Sequence, residues 1–322
     1  MRSLDASLHG SIEAAAKALK QGNLVVFPTE TVYGIGADAL NSGGVKRIYQ
    51  VKNRPLDHPL IVHISSILKM NDWATKIPDY AYDLARDFWP GPMTLVLNRS
   101  ELAEDFVTGN QNTVAIRVPA HPVALGLLIE FESLGGLGIA APSANKFGAL
   151  SPTNALDVKE ELGDLLNQND LILVEAQCSI GIESTIIDCT QKKPLILRPG
   201  AVTEELIIGT LGHKMSHKVK SKIRAPGTLQ THYSPKTKVT INSNPKKDEG
   251  FIALSSITTP KEAIRLIAPE NIQAFANQLY AALRKADHLN LKSVSIIPPE
   301  GNGIAVAIRD RIDRMVTNHF EI

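Results

Sequence analysis

Short apolar runs bounded by glycine or proline alternate along this chain with segments of helical spacing. Residues 24–27 form a continuous apolar run between Gly22 and Pro28, which predicts a strand buried on both faces. Asn41 and Ser42 then mark a helix start, and the helix that follows has one apolar face, formed by Val45, Ile48, Tyr49 and Val51. This alternation predicts an α/β fold.

Two predicted strands carry an arginine among apolar residues. In residues 113–118 the large apolar side chains share one face and leave Arg117 on the other, and Arg198 ends a similar run at 194–198. A buried charge without a partner would cost several kcal/mol, so each arginine requires an anion or solvent. A bound carboxylate or phosphate would serve, as would an internal Asp or Glu or exposure at a strand end, and the pattern leaves these alternatives open.

Hydroxyl groups follow the first strand. If this segment is extended, Thr29, Thr31 and Tyr33 point to one side, where they can contact a small polar ligand. Gly34 and Gly36 would let the backbone approach that ligand closely or adopt positive φ. The alternative is a polar turn with capping threonines.

Two cations and a histidine come next. Lys52 and Arg54 follow the helix that Pro55 ends, so we expect them at an exposed helix exit, where they either meet a ligand or complement the helix dipole. His63 lies near the end of the predicted strand 60–64. A single histidine in such a strand is more often a hydrogen-bonded core residue than a catalyst.

Small and hydroxyl-bearing residues dominate the segment 140–153, which follows a glycine-rich turn at 135–138. Such a loop can line a phosphate chain or form ordinary turns. Residues 181–188 then begin a predicted hairpin that ends at Arg198, and its opening Ser184 could face the same cleft. The polar side chains of the loop that we consider candidates are Ser143, Asn145 and Ser151.

Taken in order, these segments resemble the Sua5/YrdC/YciO family, specifically its longer Sua5-type threonylcarbamoyl-AMP synthases. Segments 225–227 and 232–235 also resemble the family's interdomain linker, so the resemblance covers nearly the whole chain. The motifs that carry it are Pro28-Thr29-Glu30-Thr31-Val32-Tyr33-Gly34, Lys52-x-Arg54-Pro55, Pro142-Ser143-Ala144-Asn145, Ser151-Pro152-Thr153, Glu183-Ser184-Thr185-Ile186-Ile187-Asp188 and Leu197-Arg198-Pro199-Gly200.

The resemblance implies an N-terminal YrdC-like α/β domain with a twisted mixed sheet, joined by a linker to a smaller, Rossmann-like C-terminal Sua5 domain. We expect the catalytic domain at 1–219, the linker, which would act as an active-site lid, at 220–236, and the C-terminal domain at 237–322. Within the last domain, the pattern predicts strands at 251–254 and 293–297 and helices at 261–267 and 272–286.

The resemblance also implies a reaction in which L-threonine, bicarbonate and ATP, with its Mg²⁺, become threonylcarbamoyl-AMP, pyrophosphate and water. Downstream proteins would transfer the threonylcarbamoyl group to adenosine 37 of tRNAs reading codons that begin with A. Two alternatives stay open: an RNA-binding module with this fold, which would contact tRNA, and an enzyme that handles carbamoyl adenylate.

Site residues follow from the same motifs. The resemblance implies threonine contacts from Thr31, His63, Arg117 and Ser184. It implies ATP contacts from Arg54, His58, Thr113, Ala141, Ser143, Asn145, Ser151, Arg198 and Tyr233. Charge at the leaving pyrophosphate would be neutralised by Lys52, Arg54 and Arg198, and no dedicated protein ligands for a metal are expected.

Composition agrees with this interpretation. The 322-residue chain has a formal net charge of +1, which argues against a strongly electrostatic nucleic-acid binder. Cys178 and Cys189 lack zinc-like or CxxC spacing and suit a reducing cytosol. The predicted N-terminal helix lacks the apolar core of a signal peptide, and no apolar run is long enough to span a membrane. We therefore expect a cytoplasmic protein without a membrane partner.

Overall fold

A computed structural model describes residues 1–8, 10–212, 215, 223–227 and 233–317. The helices are α1 (Ser11–Lys20), α2 (Ser42–Lys52), α3 (Met70–Trp73), α4 (Asp79–Phe88), α5 (Asp105–Thr108), α6 (Pro122–Ser133), α7 (Ala155–Leu162), α8 (Glu204–Leu211), α9 (Ile272–His288) and α10 (Ile304–Thr317). The strands are β1 (Arg2–Asp5), β2 (Val25–Phe27), β3 (Gly34–Asp38), β4 (Ile61–His63), β5 (Ala74–Thr75), β6 (Met93–Arg99), β7 (Thr113–Arg117), β8 (Ile139–Ala140), β9 (Leu171–Val174), β10 (Thr185–Asp188), β11 (Leu195–Arg198), β12 (Lys238–Ile241), β13 (Gly250–Ile252), β14 (Ile264–Ile267) and β15 (Ser293–Ile296).

The first eleven strands form one mixed sheet. Its order is β1-β9-β2-β3-β8-β4-β7-β6-β10-β11, and β5 pairs with β6. Parallel pairs such as β4 with β7 and β6 with β10 alternate with antiparallel pairs such as β6 with β7 and β10 with β11. The predicted mixed sheet and the predicted hairpin that ends at Arg198 are both confirmed.

The remaining strands form a smaller, fully parallel sheet in the order β12-β15-β13-β14. The helix predicted at 272–286 is confirmed as α9, and its apolar residues Phe275, Leu279, Ala282 and Leu283 are all buried. The helix predicted at 261–267 is wrong, because residues 264–267 form strand β14. This short apolar run has no decisive period, and pairing with β13 determines its conformation. The pattern also missed β12 and α10.

Two asparagine residues set the ends of α2, and its start agrees with the sequence prediction. Asn41 accepts a hydrogen bond from the Gly44 amide at 2.9 Å and so caps the first turn. Asn53 adopts the left-handed conformation after the last turn, with φ of 50°. The predicted apolar face is buried against the large sheet, so α2 ends at a defined point next to the loop that carries Arg54.

Gly36 serves packing within the sheet rather than ligand approach. A Cβ at this position would lie 2.6 Å from Ile139 Cγ2 and 2.8 Å from Phe27 Cε1, so only glycine fits between these side chains. Gly36 and Gly34 both lie in β3 with ordinary φ. Of the two possibilities that the sequence leaves open for these glycines, neither residue adopts positive φ, and Gly34 does border a cavity described below.

The two sheets share a buried cluster. Val32, Leu150 and Ile182 from the first sheet's loops pack in one hydrophobic core with α9 residues such as Phe275 and Tyr280. The described strands of the large sheet end at Arg198 and those of the small sheet begin at Lys238. The predicted domain boundaries stay a prediction. Parts of the predicted domains and linker, at 213–214, 216–222, 228–232 and 318–322, lie outside the described residues.

None of the helices in the described ranges combines the length and the apolarity that crossing a bilayer requires.

Asp170 ties three elements of the large domain together. Its carboxylate accepts hydrogen bonds from the amides of Leu24 and Asn167, at 2.9 and 2.8 Å. Both terminal nitrogens of Arg47 on α2 donate to it, at 3.0 and 2.6 Å. The residue is fully buried, so these four bonds replace its lost hydration.

We expect Asp170→Ala to lower the free energy of unfolding by about 3 kcal/mol, because it leaves a buried amide and a cation without their acceptor. Urea denaturation would measure the change. The matched control is Asp164→Ala, an exposed aspartate in the short 3-10 helix at 163–165 that precedes this loop, which should change stability by less than about 0.5 kcal/mol. Equal effects of the two variants would contradict the role of Asp170.

Candidate active site

One edge of the large sheet carries a cavity. The carboxyl ends of β4 and β7 meet there, with His63 paired to Arg117, and the antiparallel β6 begins beside them. Strand β10 also begins at this edge, and β11 ends there at Arg198. The topology therefore brings these residues together. The space between the lining side chains is about 550 Å³, a figure that includes volume open to solvent.

Nine of the predicted site residues border this cavity. They come from the loops after β2, α2 and β8, from β4, β7 and β11, from the start of the hairpin and from the linker. These residues are Thr31, Arg54, His63, Arg117, Ala141, Ser143, Ser184, Arg198 and Tyr233.

Arg117 makes hydrogen bonds in three directions. Its Nη2 lies 2.6 Å from a Glu30 carboxylate oxygen, its Nη1 donates to the Thr31 hydroxyl at 3.0 Å, and its Nε donates to the Gly91 carbonyl at 3.2 Å. Although burial opposes ionisation of Glu30, Arg117 lowers the pKa of that carboxyl. Of the alternatives left open for Arg117, the internal acidic partner is present, and the guanidinium also reaches the cavity.

Arg198 is held by neutral oxygens in the described part of the chain. Its Nε and Nη2 donate to the Ser184 carbonyl, at 3.1 and 2.9 Å, and Nη2 also reaches the Ser184 hydroxyl at 3.2 Å. Its Nη1 donates to the Pro226 carbonyl at 2.9 Å. Burial lowers the pKa of Arg198, but the guanidinium remains a cation at neutral pH.

Arg54 has a comparable environment. Its Nε donates to the His58 carbonyl at 3.2 Å and its Nη2 to the Pro59 carbonyl at 2.9 Å. The guanidinium carbon lies 5.4 Å from the centre of the Phe147 ring, which the His58 ring contacts edge-on at 5.1 Å. Burial lowers the pKa of Arg54 to about 10. This arginine is thus a fixed cation with carbonyl acceptors.

The segment after β2 is a turn, so the expectation that it is extended is wrong. The Thr29 hydroxyl accepts from the amides of Thr31 and Val32, both at 3.2 Å, and lies 2.8 Å from the Thr31 hydroxyl. A side chain that bonds to the backbone ahead of it bends the chain. Thr29, Thr31 and Tyr33 all border the cavity, but the Tyr33 hydroxyl donates to the Glu175 carbonyl and is engaged elsewhere.

Lys52 and Arg54 are not at an exposed helix exit, and that expectation is wrong. Lys52 is 1% and Arg54 7% exposed. The Lys52 ammonium donates to the carbonyls of Ser143, at 2.6 Å, and Asn145. Burial and the nearby Arg54 hold the pKa of Lys52 well below its usual range. Lys52 lies behind the cavity, where it fixes the loop that carries Ser143.

Four other predicted residues, besides Lys52, do not border the cavity. The His58 carbonyl supports Arg54, and Asn145 donates through its amide nitrogen to the carbonyls of the next loop residues. Ser151 donates to Glu183. Thr113 begins β7 opposite Asn98, at the end of the strand away from Arg117 and the cavity. The nucleotide contacts assigned to these residues stay predictions.

Two carboxylates at the site, Glu30 and Glu183, escaped the sequence analysis although both stand inside the quoted motifs. The sequence contains a signal for Glu30: Arg117 requires an anion, and in the fold that the resemblance implies it lies close to the segment that carries Glu30. Glu183 had none, since its partner Arg311 lies 128 residues further along the chain.

His63 borders the cavity as a neutral imidazole. Burial, aided by the adjacent Arg117, lowers its pKa to about 3. Its ring meets the edge of Phe27 with centroids 6.2 Å apart, and its Nδ1 has no hydrogen-bond partner among the residues that the structure describes. A ligand can therefore form a hydrogen bond with Nδ1 of His63, whereas transfer of a proton to this imidazole would be costly.

Comparison with known proteins identifies the family. The model of the Sua5, YciO and YrdC family, described as "Telomere recombination", matches residues 17–200. The model described as "Threonylcarbamoyl-AMP synthase, C-terminal domain" matches residues 201–315. The chain belongs to the Sua5 family.

Individual relatives match over nearly the full length of this Sua5-family chain. A threonylcarbamoyl-AMP synthase of Pyrococcus abyssi is 38% identical, covering 94% of this chain and 92% of the relative. One of Bacillus subtilis is 36% identical, covering 94% and 91%. The crystal structure of P. abyssi Sua5 complexed with L-threonine superposes with a TM-score of 0.87 at 35% identity, covering 98% of this chain and 97% of that one.

His63 should make stability depend on pH. The pKa of His63 is about 3 in the folded chain and about 6.5 in the unfolded chain. Its contribution to the free energy of unfolding is therefore complete above pH 6.5 and is lost progressively as the pH falls toward 3, because the unfolded chain then binds a proton that the folded chain does not. Between pH 6.5 and 4.5 we expect the wild type to lose about 2 kcal/mol more than His63→Gln. Urea denaturation across this range measures both slopes, and parallel slopes would show that His63 is not buried as a neutral group.

Proposed function

We propose that this chain is a nucleotidyltransferase that forms threonylcarbamoyl-AMP and pyrophosphate from L-threonine, bicarbonate and ATP. Three buried guanidinium groups that face one cavity, Arg54, Arg117 and Arg198, are the main support for this proposal. A carboxylate and a triphosphate together are anions that such a site would bind. Relatives named for this activity cover more than nine-tenths of the chain.

Threonine would bind beside β4 and β7. Within the described residues, the hydrogen bonds of Arg117 use three of its five N–H groups. Two remain, which is the number that a bidentate carboxylate requires. Thr31 and Ser184 would supply hydroxyl contacts, and neutral His63 would face the amino acid without adding a like charge to its ammonium group.

The nucleotide would bind between Arg54 and Arg198. Their carbonyl acceptors leave both guanidinium charges uncompensated by a directly bonded carboxylate in the described structure, so this end of the cavity favours a polyanion. Ser143 and Ala141 border the same space. Mg²⁺ would enter with ATP, bound to phosphate oxygens. Lys52 would act indirectly, by fixing the loop of Ser143.

The chemistry would proceed in two displacements. The threonine ammonium group first loses a proton to solvent, and the resulting amine attacks bicarbonate. The N–C bond of a carbamate forms, the C–OH bond of bicarbonate breaks, and the hydroxyl leaves as water with a second proton from the amine. A carbamate oxygen then attacks the α-phosphorus of ATP, and the bond to the bridging oxygen breaks as pyrophosphate leaves. Arg54 and Arg198 would stabilise the charge that develops on the leaving group. Positioning and charge, rather than a protein nucleophile, would supply the catalysis.

The linker would exclude water from the labile adenylate. Pro226, Gly227 and Tyr233 border the cavity. A Cβ at Gly227 would lie 2.2 Å from the Tyr233 hydroxyl oxygen and 2.9 Å from Arg198 Nη1, so the backbone approaches the site more closely than any other residue would permit. A cover of this kind protects a reactive intermediate. Transfer to tRNA by downstream proteins, tRNA contact and a cytoplasmic location stay predictions.

A pyrophosphate-release assay tests this function directly. With ATP and Mg²⁺ present, we expect release only when both L-threonine and bicarbonate are supplied, because the carbamate must form before it can attack the α-phosphorus. Release that persists when either is omitted would identify a different ATP-cleaving activity. Mass spectrometry of the products should show threonylcarbamoyl-AMP.

Arg117→Lys should raise the KM for threonine about tenfold, since lysine keeps the charge beside Glu30 but cannot form the bidentate pair. The KM for ATP should change less than about twofold. Steady-state kinetics with each substrate varied in turn would measure both.

The matched control for Arg117→Lys is Arg99→Lys on neighbouring β6. Arg99 is paired with Asp105 at 2.6 Å outside the cavity lining, so this variant should leave both KM values unchanged. If Arg117→Lys raises the two KM values equally, Arg117 is not the threonine carboxylate ligand.

A further inference from the structure

A carboxylate from the first domain meets two side chains from the second at the wall of the cavity. Glu183 accepts hydrogen bonds from the Ser151 hydroxyl at 2.5 Å and from the Tyr280 hydroxyl at 3.1 Å. Arg311 Nε lies 2.9 Å from the same carboxylate. Tyr280 belongs to α9 and Arg311 to α10, so both C-terminal helices contribute to one polar cluster.

The cluster is almost completely withdrawn from water. Arg311 and Tyr280 are fully buried and Glu183 is 6% exposed. Burial opposes ionisation of Glu183, but Arg311 and Arg198 lower its pKa to about 2, so the carboxylate is charged at neutral pH. An ion pair buried this deeply is weak evidence of stabilisation, because apolar replacements often stabilise as well. A contribution to folding stability therefore does not by itself explain why this chain has the buried pair of Glu183 and Arg311.

The cluster also contacts the nucleotide end of the cavity. Glu183 borders the cavity and precedes Ser184, whose carbonyl accepts two hydrogen bonds from Arg198. Arg311 Nη2 donates to the Pro199 carbonyl at 3.0 Å, immediately after Arg198. The guanidinium carbon of Arg311 lies 5.1 Å from the centre of the Tyr233 ring, which in turn stacks on Tyr280 with centroids 6.0 Å apart.

We propose that Arg311 and Tyr280 are positioning residues for the nucleotide: they fix Glu183, and through it the Ser184 carbonyl that orients Arg198, and they support the Tyr233 ring. This inference rests on the proposed function. Arg311 and Tyr280 do not border the cavity, so they would act through Glu183, Pro199 and Tyr233. The C-terminal domain would thereby complete the site of the first domain.

A second ion-pair group between the domains provides a matched comparison. Arg284, one turn after Tyr280 on α9, lies 2.8 Å from Glu161 and 3.4 Å from Asp157, and it also donates to the Leu150 carbonyl. It joins the same two domains as Arg311 but does not border the cavity. Loss of Arg284 should weaken domain packing, whereas loss of Arg311 should also disturb the nucleotide end.

Kinetics of Arg311→Met and Arg284→Met separate the two roles. We expect Arg311→Met to raise the KM for ATP about tenfold and to change the KM for threonine less than about twofold. Arg284→Met should lower the melting temperature and leave both KM values within about twofold of the wild type. Tyr280→Phe keeps the ring and removes one donor to Glu183, and it should raise the KM for ATP about threefold.

The double variant Glu183→Gln/Arg311→Met distinguishes positioning from mere stability. Removing both charges avoids an unpaired buried charge, so the melting temperature should recover relative to Arg311→Met. The bonds to Pro199 and the support of Tyr233 remain absent, so the KM for ATP should stay raised. If the KM for ATP instead follows the melting temperature through all the variants, the positioning role is overturned.

Hydrogen exchange gives a readout that does not depend on catalysis. In protein without substrates, the amides of residues 181–188 should exchange faster in Arg311→Met than in Arg284→Met or the wild type. Equal exchange in Arg311→Met and Arg284→Met would overturn the inference. A wild type that releases no pyrophosphate with threonine and bicarbonate would overturn the proposed function, and the exchange result would still decide whether Arg311 fixes the hairpin start.

Discussion

Three guanidinium groups surround one cavity, and each is buried and has lost most of its hydration. Arg54, Arg117 and Arg198 are 7%, 4% and 3% exposed, so the oxygens around them must replace their hydration. Most of these oxygens are backbone carbonyls of loops at one edge of the sheet. A carbonyl can serve only if its loop is held in place. Lys52 fixes a further loop of the same cavity, at 143–145, by donating to two of its carbonyls.

The choice of acceptor sets the charge that each arginine presents. Carbonyls satisfy the N–H groups of Arg54 and Arg198 without cancelling their charge, whereas Glu30 partly cancels that of Arg117. Because these groups are buried in protein, the differences act over several ångströms. The site is therefore more positive beside Arg54 and Arg198 than beside Arg117 and Glu30, a gradient that suits a polyanion at one end and a single carboxylate at the other.

The sequence predicted those features that depend on local pattern. The buried strand at 24–27, the apolar face of α2 and the arginines at two strand ends all follow from periodicity, and motif order placed the strand ends at one site. Lys52 was misplaced because its acceptors come from a loop about ninety residues away, which no local pattern reveals. The run at 264–267 was assigned to a helix because its conformation depends on pairing with β13.

The number of N–H groups left on each arginine limits what a ligand can do. Within the described residues, Arg54 uses two of its five N–H groups and Arg198 uses four. A phosphate can therefore bind Arg54 without displacing anything. At Arg198, a second hydrogen bond to phosphate must replace one to Ser184 or to Pro226 of the linker. If the proposed nucleotide binds here, its affinity and the position of the linker would be linked through this one side chain, and the linkage would act equally in both directions.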